Sequence, residues 1–164
     1  MARPRPAHPE PIVLHSWLPV LLDQLAADPG LATLRIQLPK TNDGPVVFAD
    51  PAHLRQVFAN LLQNAAQHAG ADAAEILVEI TWHATGDGTV EIRLRDHGPG
   101  IPEESMERIF EPFFTSDARG TGLGLSMVRE LLRLNHGTIA ARNHREGGAE
   151  FVLELPAWDG GKIQ

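Results

Sequence analysis

Asp50-Pro51-Ala52-His53-Leu54-Arg55-Gln56-Val57-Phe58-Ala59-Asn60-Leu61-Leu62-Gln63-Asn64-Ala65-Ala66-Gln67-His68 is the stretch from which the rest of the chain can be read. Asp-Pro opens a helix, because the carboxylate can cap the first free N–H groups and proline at the first position has no N–H to lose. Leu54, Val57, Phe58, Leu61, Leu62 and Ala65 then recur at three-four spacing and form one apolar face that runs to about His68. A second stripe is polar: Gln56, Asn60, Asn64 and His68 come every fourth residue and line one flank. Asparagine is a poor helix former, and a solvated face would more commonly carry Glu, Lys or Gln. Amides set beside apolar neighbours need a partner, and a ligand can be that partner.

Working outward, Met1 to Pro11 holds four prolines and reads as a linker or tail. Apolar residues from Ile12 to Ala27 follow helical spacing until Asp28-Pro29-Gly30 stops them. Leu34, Ile36 and Leu38 alternate with polar residues, Asn42-Asp43-Gly44 offers a turn, and Val46 to Ala49 is extended again, which predicts a hairpin. Beyond the helix, Ile76, Val78 and Ile80, then Gly86-Asp87-Gly88, then Val90, Ile92 and Leu94 predict a second hairpin. Pro99 to Gly124 is rich in glycine and proline and reads as loop around a site, with a short helical piece from Glu103 to Phe110. A helix from Leu125 to Leu134 and strands from Thr138 to Arg142 and Ala149 to Leu155, joined at Gly147-Gly148, complete the pattern. It predicts an α+β fold, a two-layer sandwich with a mixed, mostly antiparallel sheet covered on one face by helices. The expected domain is 12–157, flanked by tails at 1–11 and 158–164.

With 164 residues, 43% of them hydrophobic, the chain fits a single domain with a sizeable core. Its net charge of −7 disfavours nucleic acid as a partner, since phosphate backbones call for a basic surface. The absence of cysteine excludes disulfides, thiolate nucleophiles and cysteine-ligated zinc. No apolar run approaches the ~20 residues of a membrane helix. A cytoplasmic setting without direct membrane contact is expected, any anchor belonging to a longer parent.

Two further signals follow the helix. Val90, Ile92, Leu94 and Asp96 share one strand parity, so the Asp96 carboxylate points inward behind three core residues. There it can accept hydrogen bonds from an amine, and Gly98 and Gly100 let a planar group approach the backbone. Alone, Asp96 could equally be a turn former before glycine. Gly120-Thr121-Gly122-Leu123-Gly124-Leu125-Ser126 runs straight into a helix, an arrangement that suits phosphate oxygens. It is neither the dinucleotide fingerprint nor a Walker loop, for the glycine spacing differs and no lysine is present.

Asparagine helix, Asp-x-Gly-x-Gly, Phe110-Glu111-Pro112-Phe113-Phe114 and glycine loop occur in that order. In this the chain resembles the GHKL ATPase superfamily with its Bergerat fold, and within it the sensor histidine kinases, over Asp50 to Leu155. The resemblance implies an ATP site in which Asn64 holds Mg²⁺, Asn60 lies near the phosphates and Asp96 accepts the adenine amine. Gly98, Gly100 and Ile101 would shape the adenine pocket, and the ring of His68 would flank the nucleotide. It further implies that Phe110 to Phe114 form an F-box, that Gly120, Thr121, Gly122, Leu123, Gly124 and Leu125 close over the triphosphate, and that Thr115 to Arg119 form a short lid between them, with Phe114, Thr115 and Arg119 among the nucleotide-binding residues. Two places depart from the pattern: Gln67 stands where many relatives carry Lys or Arg, and Asn135-His136-Gly137 replaces His-Gly-Gly.

Hydrolysing relatives carry a glutamate at the position of Asn60, and an amide cannot take a proton from water. That favours transfer of the γ-phosphoryl group to a histidine on a dimerisation and phosphoacceptor domain outside this chain, for relay to a response-regulator aspartate. His8, His15, His53, His83, His97, His136 and His144 lack an acceptor setting and read as surface or structural histidines. The isolated chain is therefore expected to bind nucleotide without phosphorylating itself. The rival readings are a non-catalytic nucleotide-binding sensor or scaffold, supported by Gln67, and a stand-alone serine kinase of the anti-sigma type.

Overall fold

The computed structural model describes residues 3–69, 74–115 and 122–161. Its elements are β1 (Glu10–Val13), α1 (Leu14–Leu25), β2 (Leu34–Gln37), β3 (Val46–Ala49), α2 (Pro51–Gln67), β4 (Ile76–Ala84), β5 (Thr89–Asp96), α3 (Gly124–Leu134), β6 (Thr138–Asn143) and β7 (Ala149–Pro156). Asp50 caps α2 as its sequence requires, accepting from the N–H groups of Ala52 and His53 at 2.9 and 3.2 Å.

Five strands form one sheet in the order β2-β4-β5-β7-β6, where β2 runs parallel to β4 and the other neighbours are antiparallel. One face is apolar. Val78, Ile80, Ile92, Leu94, Leu153 and Leu155 share a core with Phe58, Leu61 and Leu62 of α2 and with Val128, Leu131 and Leu132 of α3. Each such side chain, fully buried, contributes roughly 2 kcal/mol. On the other face Gln37, Glu79, Arg95, Glu150 and Arg142 stand in register across all five strands. Arg142 Nε donates to Glu150 at 2.6 Å and Arg95 lies 3.8 Å from Glu79, so alternating charges line the face that the helices leave uncovered. This is the expected α+β sandwich.

The first predicted hairpin does not form. β2 pairs with β4, while β3 pairs antiparallel with β1, matching Glu10 to Ala49 and Val13 to Val46. The connection from residue 38 to residue 45 exceeds the two to five residues that impose hairpin pairing, so the strands were free to find distant partners. Ile12 and Val13, read as helical, belong to β1, and α1 begins at Leu14.

Residues outside 12–157 also make contacts with the sandwich. Arg5 and the N–H of His8 bind the Asp50 carboxylate, and Trp158 N–H donates to Val46 O at 2.7 Å while its ring stacks on Phe48 at 5.2 Å. From Glu103 to Phe110 the predicted helical piece reduces to one 3₁₀ turn, Glu103–Ser105, followed by turns. Among the described residues no helix is long and apolar enough to cross a membrane.

Candidate functional site

Where α2, the end of β5 and the start of α3 meet, they enclose a cavity of about 300 Å³. Asn60, Asn64 and His68 reach it from successive turns of α2, joined by Gln63 and Gln67 on the same side. Asp96 enters from the end of β5, buried among core residues as its parity demands. Its Oδ1 accepts from Gly98 N–H at 3.0 Å and from Ala149 N–H at 3.1 Å, which fixes the carboxylate at the cavity wall. Ile101, Ile109, Phe114, Leu125 and Phe151 make the rest of that end apolar. Arg108 lies over the Phe114 ring at 4.7 Å and holds it in place.

Two of the glycines that line the cavity are required by close approach. At Gly100, with φ of 83°, an added Cβ would lie 2.7 Å from Asn143 Oδ1. At Gly122, with φ of 73°, it would lie 2.4 Å from the carbonyl carbon of Phe113, whose N–H donates to Gly122 O at 2.9 Å. That contact pins the stem of the glycine loop, and the strain appears on the partner: Phe113 itself sits at φ of 66°.

Asn60 already spans two elements. It accepts from Gln56 at 2.6 Å and donates to Gly124 O, the first residue of α3, at 3.2 Å. α3 starts without a side-chain cap, and Gly124 and Leu125 of its first turn line the cavity. A helix start without a side-chain cap, beside an amide stripe, suits a polyanion. A carboxylate in an apolar slot suits a flat base that carries an amine. One cavity offers both.

The structure thus brings Asn60, Asn64, His68, Asp96, Gly100, Ile101, Phe114, Thr115, Gly122, Gly124 and Leu125 together. Gly98 and Leu123 do not line the cavity. Gly98 orients Asp96, and the carbonyl of Leu123 accepts from Ser126 Oγ at 2.9 Å and from Met127 N–H at 2.9 Å. Arg119, Gly120 and Thr121 lie outside the described residues. Gln63, Pro102, Ser105, Ile109, Ala149 and Phe151 line the cavity without having been singled out. Gln63 could have been found as the helical neighbour of Asn60, whereas Phe151 depends on its pairing with Leu94 across strands.

No group of three or more His, Asp or Glu side chains among the described residues could cage a metal. A single amide oxygen from Asn64 fits Mg²⁺ all the same, since that ion takes few protein ligands and completes its shell with phosphate oxygens and water.

Residues 49–159 match the family described as histidine kinase-, DNA gyrase B-, and HSP90-like ATPase. The chain belongs to this family. Within it, the sensor histidine kinases are the near relatives, and the chain is an ATP-binding catalytic domain of that type. Sporulation kinase E of Bacillus subtilis (strain 168) is 35% identical over 135 residues, 82% of this chain and 18% of that protein. Full-length ShkA, solved in complex with AMPPNP, superposes with a TM-score of 0.79 at 26% identity, over 98% of this chain and 33% of that one. Histidine kinase ThkA in complex with response regulator protein TrrA gives a TM-score of 0.73 at 28% identity, over 93% of this chain and 42% of that one. The chain therefore spans less than half the length of each of these three proteins.

Proposed function

We propose that the domain binds Mg·ATP in the cavity between α2, β5 and α3 and delivers the γ-phosphoryl group to a histidine on the dimerisation domain of a longer parent protein. A response-regulator aspartate then receives it. The observation that carries this reading is the meeting of Asn64, Asp96 and the Gly122–Leu125 segment around one cavity, from three separate parts of the chain. Asp96 accepts the adenine amine, with Gly100, Ile101 and Phe114 against the base and His68 at its flank. Asn60, Thr115, Gly122, Gly124 and Leu125 serve the phosphates, together with Arg119, Gly120 and Thr121 from the sequence pattern. Asn64 holds Mg²⁺, which when bound offsets phosphate charge. Because Asn60 has no basic lone pair, the site positions a phosphoryl group for an external nucleophile and leaves water unactivated. The proposed setting is cytoplasmic, with any membrane anchor elsewhere in the parent.

Incubation with γ-labelled ATP and Mg²⁺ tests the proposal. The chain alone should acquire no stable label, and adding the parent's dimerisation domain should give acid-labile label on that domain. Stable label on the isolated chain, an acid-stable product, or no transfer to the added domain would each overturn it.

A further inference from the structure

Gly100 and Ile101 form one wall of the cavity, yet they sit in a loop with no regular secondary structure of its own. Asn143, the last residue of β6, holds them from outside the cavity. Its Oδ1 accepts from Ile101 N–H at 2.7 Å and its Nδ2 donates to Ile101 O at 2.8 Å. Because a backbone N–H only donates and a carbonyl only accepts, these two partners fix which way the amide points. The pair of bonds reproduces one rung of an antiparallel ladder with a side chain in place of a strand. Glycine at 100 follows from the same contact, since a Cβ there would meet Asn143 Oδ1 at 2.7 Å. Directly opposite Asn143 in this β6–β7 hairpin, Ala149 donates its N–H to Asp96 Oδ1 at 3.1 Å. One hairpin therefore braces both the carboxylate and the loop wall of the same cavity.

Resting on the nucleotide reading above, we infer that Asn143 is a positioning residue for the purine: by holding both backbone groups of Ile101, it sets the Gly100–Ile101 wall relative to Asp96 and so governs affinity for the base and choice among bases. The bonds lie at an exposed position, where water can replace them, so removing them changes stability little. Freed from Asn143, the loop must be ordered anew each time a ligand binds, and the loss appears as weaker binding.

The experiment measures binding of a fluorescent ATP analogue, its displacement by ATP and by GTP, and thermal melting, for the full chain and for Asn143→Ala and Asn143→Asp. Aspartate keeps the acceptor but sets its second oxygen against Ile101 O. Both variants should bind ATP roughly tenfold more weakly. Their preference for ATP over GTP should narrow, and melting should move by no more than about 3 °C. Unchanged affinity and base preference, or a loss that tracks early melting in both variants, would overturn the positioning role alone. Failure of the unaltered chain to bind ATP would overturn the nucleotide reading beneath it.

Discussion

The two ends of α2 both carry polar residues beside the apolar core and handle them in opposite ways. At the N-terminal end Asp50 is fully buried and saturated by the protein itself. Its carboxylate accepts from Ala52 and His53 N–H, from His8 N–H at 2.8 Å, and from both terminal nitrogens of Arg5 at 2.7 and 2.9 Å. Its own N–H donates to Asn135 Oδ1 at 2.7 Å, and Asn135 Nδ2 donates to Leu131 O at 2.7 Å and faces His53 Nδ1 at 3.0 Å. Those backbone partners orient Asn135 so that His53 Nδ1 must accept, which leaves the proton on Nε2, a buried atom with no partner among the described residues. At the other end Asn64, Gln67 and His68 face the cavity. An amide on a helix is a structural residue where the fold supplies its partner, and a ligand residue where the fold leaves space instead.

Asp50→Ala should have the largest effect, removing a helix cap and the partner of Arg5 together and lowering stability by about 3 kcal/mol in denaturant melts. Nucleotide affinity of the folded protein should stay as it was. Weaker binding at unchanged stability would erase the distinction between the two ends.

Asn64→Ala should do the reverse. Loss of a bond to a charged ligand group predicts a roughly ten- to hundredfold rise in the Kd for Mg·ATP. The melt should hold steady or rise slightly, because alanine is the better helix former. A variant that melts early yet binds normally would make Asn64 a structural residue like Asp50.

Acid titration sharpens the contrast further. Burial pushes the Asp50 pKa up, but hydrogen bonds from His8 N–H, Arg5 and His53 N–H pull it down further, to about 2 from an ordinary 3.8. A carboxylate depressed in the folded state contributes stability that is present above its unfolded pKa and is lost as pH falls through the folded one. About 2 kcal/mol should therefore disappear between about pH 4 and about pH 2, read from urea midpoints. Asp50→Asn should lack that share of the acid slope, and an identical slope in both proteins would show that Asp50 does not set it.

What could be read in advance follows from the range of each interaction. The cap at Asp50, the polar stripe and the inward parity of Asp96 depend on neighbours within four residues, so periodicity alone reveals them. The partner of Asn135 lies 85 positions away, so nothing in its neighbourhood reveals that the residue sits under the α2 cap. Likewise Arg5 and His8, in a stretch that reads as a tail, became partners of a buried carboxylate. β2 and β3 are correctly recognisable as strands but not as partners, because an edge strand's hydrogen-bonding groups carry no address.

The amino-acid sequence by itself determined the three α-helices, every strand but β1, the chemical kinds of residue at the candidate nucleotide site and the order in which they come. Only the tertiary structure decided that Ala149 and Phe151 join that site, that β3 takes β1, and that Asn143 braces the wall at Ile101. Local backbone preferences act over a turn or a pleat, whereas these contacts exist only once distant segments have closed around a shared core.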